Sequence, residues 1–298
     1  DLYFGEARFS GPDSILVAEK TLHFRKALVA TGAHARLPTI PGLTEAGYLS
    51  NETMFDLADC PKRLLVIGGG QLGCEMAQTF CLFGANVILA QRDPMFLPGE
   101  ERDAAQILSD ALAREGVEVR LNTEVVAVRT AGGKKLADLV RDDETTTISV
   151  DEIVTGIGRS PNVDGLDLEN AGVAYDAAGI KVDDYLRTTN PRLSAAGDVC
   201  LEHKFTHTAE ATARIVVRNA LFFGRGKLSD LVVPWCTYTD PEIAHVGLYP
   251  TEARQNGVPV KTYTVLMHDV ARAVMDGEEE GFVKIHVREG SDRILGAT

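Results

Sequence analysis

The 298-residue sequence contains no apolar run near the ~18 consecutive positions that a membrane-spanning helix needs. No basic stretch followed by an apolar one stands at its start, so no secretory signal is visible. Basic residues are in deficit: 30 Lys and Arg face 43 Asp and Glu, a net charge of −13. That balance argues against nucleic acid, which is held by Lys and Arg, and against an anionic membrane surface. Cysteine is sparse and odd in number: Cys60, Cys74, Cys81, Cys200 and Cys236. Such a set is no disulfide framework, and a reducing cytoplasm is the expected compartment. No two cysteines are spaced CxxC or CxxxxC, so neither a zinc site nor a close-spaced redox pair is visible. Cys74 and Cys81, seven apart on one face of a predicted helix, are expected as buried thiols. Repeats and low-complexity segments are absent. So is an initiating methionine: the chain opens at Asp1 and stops in Ile294 to Thr298, which reads as the middle of an apolar strand. Both ends are those expected of a piece of a longer protein.

What is present is globular in make-up. A hydrophobic content of 45% and a charged content of 24% exclude intrinsic disorder. The length predicts two domains or a little more. Ile15-Leu16-Val17 and Lys26 to Ala30 read as short strands, the second ending in Thr31-Gly32. Pro38, Pro41 and Gly42 mark a loop. From Arg63 to about Gly158 the pattern predicts one doubly wound α/β unit. Leu64 to Ile67 is a continuous apolar strand, as expected when both faces of a sheet are covered. A helix follows to about Phe83, with Leu72, Met76, Ala77, Phe80 and Phe83 at helical spacing and Gly84 at its stop. Val87 to Ala90 is a second strand, Glu100 to Glu115 a second helix and Val117 to Leu121 a third strand. Glu124 to Thr130 and Leu136 to Val140 read as a hairpin around Gly132-Gly133. Thr145 to Val150 and Glu152 to Thr155 are expected to complete the sheet. Residues 163–230 carry loops, a strand near Leu193 to Ala196 and a helix over about 207–223. After Val233-Pro234 the chain turns β-rich, with strands at Ala244 to Gly247, Thr262 to Met267 and Phe282 to Val287 and a helix at Thr251 to Gln255.

The clearest chemistry lies at Gly68, Gly70 and Gly73, spaced GxGxxG between a strand and a helix, with a second strand ending about 20 residues on. In this setting the first glycine allows a tight turn. The second lets backbone approach a pyrophosphate, and the third lets helix and strand pack closely. The helix N-terminus offers unpaired N–H groups and the positive end of its dipole to the phosphates. At the tip of the second strand NAD sites carry an acid for the ribose hydroxyls, and NADP sites carry a base for the 2′-phosphate. Here the tip reads Gln91-Arg92-Asp93. Arg92 favours NADP, and Asp93, able to pair with it, keeps NAD open.

Five motifs, in order, resemble the FAD-dependent pyridine nucleotide-disulfide oxidoreductases. Ala30-Thr31-Gly32 with Ile40-Pro41-Gly42 resembles the segment that approaches the flavin. Gly68 to Ala77 (GGGQLGCEMA) resembles the pyridine-nucleotide motif, Gly158 to Asn162 the turn that leaves the nucleotide domain, Thr189 to Asp198 the second FAD motif, and Thr239 to Gly247 the start of the dimerisation domain. Val233 to Thr239 and Gly281 to Lys284 look most like mercuric-reductase-type members. The resemblance implies an α/β fold with four parts. Residues 1–50 would close a first FAD-domain segment, and 51–162 would form a doubly wound, Rossmann-like NAD(P)-binding domain. Residues 163–230 would be the FAD-domain return, and 231–298 part of an α+β dimerisation domain. It implies FAD and NADP, or NAD, as cofactors and a homodimer.

Residue by residue, the resemblance places Thr31 and Gly32 against the flavin nucleotide and has Asp198 accept from the flavin's ribityl chain, with Gly197 allowing close approach. It adds Gly158 to the cofactor-binding positions. Glu75 becomes the catalytic candidate beside the flavin–nicotinamide contact, where relatives pair it with a lysine that this sequence lacks. Arg92 matches a position that contacts the 2′-phosphate, but Pro98 stands where a second arginine is often found, and Gln71 replaces an aromatic gate. His203 and His207 have a HxxxH spacing that suits helix start or packing better than a metal site, and none is expected; His245 and His268 are expected at a subunit interface. The sequence also lacks the family's first GxGxxG, its CxxxxC pair and its C-terminal His-Glu couple. The implied reaction passes a hydride from NAD(P)H to FAD and on to a disulfide, a thiol-bound substrate or a mercuric-type metal ion. This chain by itself is expected to hold little FAD and not to turn over. The rivals are a transhydrogenase or oxidase without a redox disulfide, and a non-catalytic NAD(P)-binding module.

Overall fold

The computed structural model describes residues 1–298 and divides into two compact units, Asp1–Arg36 with Arg159–Val233, and Leu37–Gly158 with Pro234–Thr298. In the second unit, strand Arg63–Ile67 lies at the centre of a parallel sheet, between Glu152–Thr155 on one side and Asn86–Ala90 on the other, with Glu118–Arg120 beyond. The period of two along a strand sends successive side chains to opposite faces. Leu64 and Val66 join one buried cluster with Cys74, Ala77, Phe80, Leu108 and Leu112 from the helices Gln71–Leu82 and Arg102–Glu115. Leu65 and Ile67 join the other, with Val125, Val128, Ala137, Leu139 and Val150. The continuous apolar run is thus needed twice over. Each fully buried aliphatic side chain is worth roughly 1.5–3 kcal/mol.

One expectation is corrected here. Thr145 to Val150 does not complete the parallel sheet. It lies in strand Glu144–Val150, which pairs antiparallel with Lys134–Arg141, itself paired with Glu124–Ala131. This three-stranded sheet covers the face opposite the helices. The cause is the turn at Asp142 and Asp143, whose φ values of 50° and 64° reverse the chain; Asp tolerates this left-handed region better than most residues. Only Glu152–Thr155 joins the parallel sheet.

The tail forms a five-stranded sheet in the order Pro234–Thr237, Ile243–Gly247, Ile294–Ala297, Phe282–Arg288, Val260–Leu266. It also corrects two positions. Glu100 lies before its helix rather than within it. Its carboxylate is buried and accepts from the Trp235 indole N–H at 2.9 Å and the Tyr249 hydroxyl at 2.7 Å. The Arg102 guanidinium holds this approach by donating to the carbonyls of Phe96, Leu97 and Glu100. His245, expected at a subunit interface, is buried within the chain and stacks on the Tyr249 ring, their centroids 3.6 Å apart.

In the first unit, strands Ala27–Val29 and Leu193–Ala195 pair in parallel, and helix Thr206–Leu221 follows the second. Ala33–Ala35 pairs antiparallel with Arg159–Pro161. A meander of Ala7–Gly11, Ser14–Val17 and Lys20–His23 precedes them. The sequence reading misses its outer strands because almost none of their side chains are buried, which leaves no alternation to see. Phe9, Val29, Leu168, Ile180, Leu193 and Val199 form the core of this unit.

Candidate functional site

The three motif glycines do different things. Gly68 has φ +106°, and a Cβ there would stand 2.6 Å from the Gly156 carbonyl oxygen. A Cβ on Gly73 would stand 1.8 Å from the Gly68 oxygen. These two, with Gly156, lock helix Gln71–Leu82 onto the sheet. Gly70 is extended, with φ −85°, and a Cβ there would meet nothing closer than the Gly156 oxygen at 4.0 Å. Internal packing therefore does not require glycine at position 70, and the space it leaves is open. No side chain caps the helix start that follows. Its first-turn N–H groups lack intrahelical acceptors, and with the dipole they suit a phosphate. An open cradle beside an uncapped helix end fits a dinucleotide pyrophosphate.

At the tip of strand Asn86–Ala90, Gln91 is buried, and its Oε1 accepts the Gly69 N–H at 2.7 Å. Its Nε2 donates to Asp93 Oδ2 at 3.1 Å. Arg92 is 73% exposed at the side chain, and its Nε lies 3.9 Å from Asp93 Oδ1. Leu97 closes the loop from the other side by donating its N–H to the Gly69 carbonyl at 3.1 Å.

Glu75 sits one turn into the helix. In place of the lysine implied by resemblance, its Oε1 accepts the Tyr238 backbone N–H at 2.9 Å. Burial raises its carboxyl pKa above the ordinary range, and the Tyr238 hydrogen bond opposes that only in part. Gln78, three residues on, is buried and clasps Asp240, accepting its N–H and donating to its carbonyl, both at 2.7 Å.

The remaining predicted residues except Gly158 lie in the first unit, at the carboxyl ends of its parallel strand pair. This is where ligands bind in open α/β sheets. Thr31 and Gly32 follow Ala27–Val29, and Gly197 and Asp198 follow Leu193–Ala195. The strand ends are joined by the Ala196 N–H donating to the Val29 carbonyl at 3.1 Å. Thr31 donates its hydroxyl to the Asn162 carbonyl, and Asn162 Nδ2 donates back to the Thr31 carbonyl, both at 2.8 Å. Gly32 has φ +71° and open space where a Cβ would stand. Gly197 has φ +76°, and its N–H donates to the fully buried Thr212 hydroxyl at 3.2 Å. Asp198, 13% exposed at the side chain, lies 3.5 Å from the Arg159 Nε. That Nε is buried and makes no hydrogen bond, while another Arg159 nitrogen donates to the Ala33 carbonyl at 2.7 Å. Gly158, at φ +102°, also has open space at its missing Cβ. The His203 and His207 rings each stack with the Phe205 ring, at centroid distances of 6.2 and 5.4 Å.

Three contributors escape the sequence reading. Gly156 closes against Gly73 from a distant strand end, with only its position after Thr155 as a hint. Arg159 and Asn162 appear in a motif but not as the partners of Asp198 and Thr31. Those pairings join residues more than thirty positions apart, which spacing does not reveal.

With this geometry in place, similarity to known proteins has a physical context. The sequence pattern described as pyridine nucleotide-disulphide oxidoreductase matches residues 1–213, and that of the family's dimerisation domain matches 233–298. The chain belongs to the pyridine nucleotide-disulphide oxidoreductase family, and its α/β fold is that of the flavoprotein disulfide reductases. It is 32% identical to a mercuric reductase of Staphylococcus aureus over 298 residues, all of this chain and 54% of that protein. It is 31% identical to a glutathione reductase of Burkholderia cepacia, covering 65% of it and again all of this chain. Among solved structures it resembles the HOCl-induced flavoprotein disulfide reductase RclA of Escherichia coli, with a TM-score of 0.89 and 30% identity over 98% of this chain and 67% of that one. The chain spans about half the length of the mercuric reductases it matches. No helix is long and apolar enough to cross a membrane.

Proposed function

We propose that the protein serves a flavin-dependent oxidoreductase that moves a hydride from NAD(P)H to FAD and on to a disulfide, a thiol-bound substrate or a mercuric-type metal ion. The observation that carries this reading is the glycine loop, closed at Gly68 and Gly73 but open at Gly70 beside an uncapped helix end. Gly70 and the first-turn N–H groups would hold the pyrophosphate. Arg92 would take the 2′-phosphate, favouring NADP over NAD. Thr31, Gly32, Gly158, Gly197 and Asp198 would hold FAD, with Arg159 beside Asp198 to fix its position. Glu75, its carboxyl raised by burial, would be the acid nearest the chemistry. The bound cofactors supply the hydride chemistry itself, which no side chain provides. Use of a disulfide also needs a redox cysteine pair, and no CxxxxC occurs in these 298 residues. By itself this chain is proposed not to turn over. Assembly as a homodimer through the tail sheet, in a reducing cytoplasm, completes the reading.

The test is titration of the protein with NADPH, followed by nucleotide fluorescence. Saturable binding that weakens in Gly70→Ala supports the reading. A folded protein that binds neither NADPH nor NADH refutes it.

A further inference from the structure

We propose that Gln91 is a positioning residue that sets nucleotide preference by holding Asp93 off Arg92. The inference rests on the nucleotide site proposed above and names what tunes it. Gln91 occupies the strand tip, but its side chain turns inward and is only 7% exposed. One end of its amide accepts from Gly69, at 2.7 Å, and the other donates to Asp93 Oδ2, at 3.1 Å. A carboxylate of the same length has no proton to give Asp93, and a basic side chain has no oxygen for Gly69. An amide does both, and its orientation is fixed by those two partners.

The backbone around this amide is pinned. The Thr123 N–H donates to the Gln91 carbonyl at 2.9 Å, and the Asn122 N–H to the Asp93 carbonyl at 3.3 Å. Asp93 therefore has two candidate partners within reach of its side chain, the Gln91 amide and the Arg92 guanidinium. It makes a hydrogen bond with the first through Oδ2, while Oδ1 forms with the second only a loose ion pair at 3.9 Å, beyond hydrogen-bond distance. The Arg92 side chain stays 73% exposed. The acid that threatened to quench Arg92 is thus held by the residue that stands where an NAD-preferring acid would be. The same arrangement occupies the Gln91 side-chain oxygen with the Gly69 N–H.

Dissociation constants for NADPH and NADH on the full chain test this, in wild type, Gln91→Met, Asp93→Asn, the double variant and Arg92→Ala. Gln91→Met keeps size and burial but frees Asp93 to close on Arg92 to hydrogen-bond distance. An exposed ion pair of that kind competes with a phosphate by about twofold to fivefold. The expected result is a fall of that size in the preference for NADPH over NADH, restored when Asp93→Asn is added. If Gln91 merely braces the glycine loop, both nucleotides weaken together and the preference stays put, which overturns the inference. The Asp93→Asn arm leaves Gln91 in place and decides the matter if Gln91→Met does not fold. A preference within twofold of wild type supports a held Asp93, and a larger change in either direction overturns it. Arg92→Ala separates the two levels. If it leaves the preference unchanged, the reading of the nucleotide site itself fails. If it removes the preference while Gln91 and Asp93 do not behave as stated, only the present inference falls.

Discussion

The Gly68–Gly73 loop and the Thr31–Asp198 corner are built from opposite materials. In the first, shape comes from missing side chains: a Cβ on Gly68 or Gly73 would overlap backbone, and Gly156 packs tightly against Gly73. In the second, shape comes from side chains that tie backbone segments together. Asn162 grips Thr31, Thr212 takes the Gly197 N–H, and Arg159 pairs with Asp198. A loop held by backbone contact tolerates almost no substitution at its closed glycines. A corner held by polar side chains loses stability in smaller steps as each partner is removed.

The largest expected effect separates glycines within the loop. Gly73→Ala places a Cβ against the Gly68 carbonyl and is expected to destabilise the fold by about 3 kcal/mol. Gly70→Ala is expected to unfold at a denaturant midpoint close to wild type while losing nucleotide affinity. Equal loss of stability in both would erase the distinction between closed and open glycines. Next in size, Arg92→Ala is expected to weaken NADPH binding by about 10–100-fold, since a charge-assisted hydrogen bond is worth about 1.5–3 kcal/mol. NADH binding is expected to move far less. An unchanged NADPH dissociation constant would remove Arg92 from the site.

At the other corner, Asp198→Ala is expected to cost about 1–2 kcal/mol, between the values for exposed and for buried pairs. Chemical denaturation reads it directly. A loss as large as that of Gly73→Ala would mean that the two regions are not built so differently. The smallest effect concerns Glu75. Burial raises its carboxyl pKa in the folded state. The favourable contribution of its protonated form is therefore complete below about pH 4.3, the ordinary Glu value, and is lost as pH rises through the raised folded value. Glu75→Gln keeps an acceptor for the Tyr238 N–H but carries no charge. Its melting temperature is expected to exceed wild type slightly at pH 7 and to meet it in acid. A variant less stable than wild type at pH 7 would show that ionised Glu75 stabilises the fold.

Much of the nucleotide unit was legible in the sequence because its signals are local. A run such as Leu64 to Ile67 announces a strand covered on both faces, and a glycine at each turn announces the βα loop. Thr145 to Val150 misled because a strand's apolar pattern does not say which sheet will receive it. The reversal at Asp142 and Asp143 decided that. Glu100 misled in another way: an acid before a helix suits the dipole, yet here its carboxylate is taken by Trp235 and Tyr249 from more than a hundred residues away.

By itself the sequence determined the secondary elements of the nucleotide unit, the motif glycines and the family resemblance, because periodicity and turn chemistry act between near neighbours. Only the tertiary structure decided what each motif residue touches. It separated Gly70 from Gly68 and Gly73, turned Gln91 inward, and gave Asp198 to Arg159. Those outcomes depend on which distant backbone or charge arrives alongside, and spacing along a chain carries no record of that.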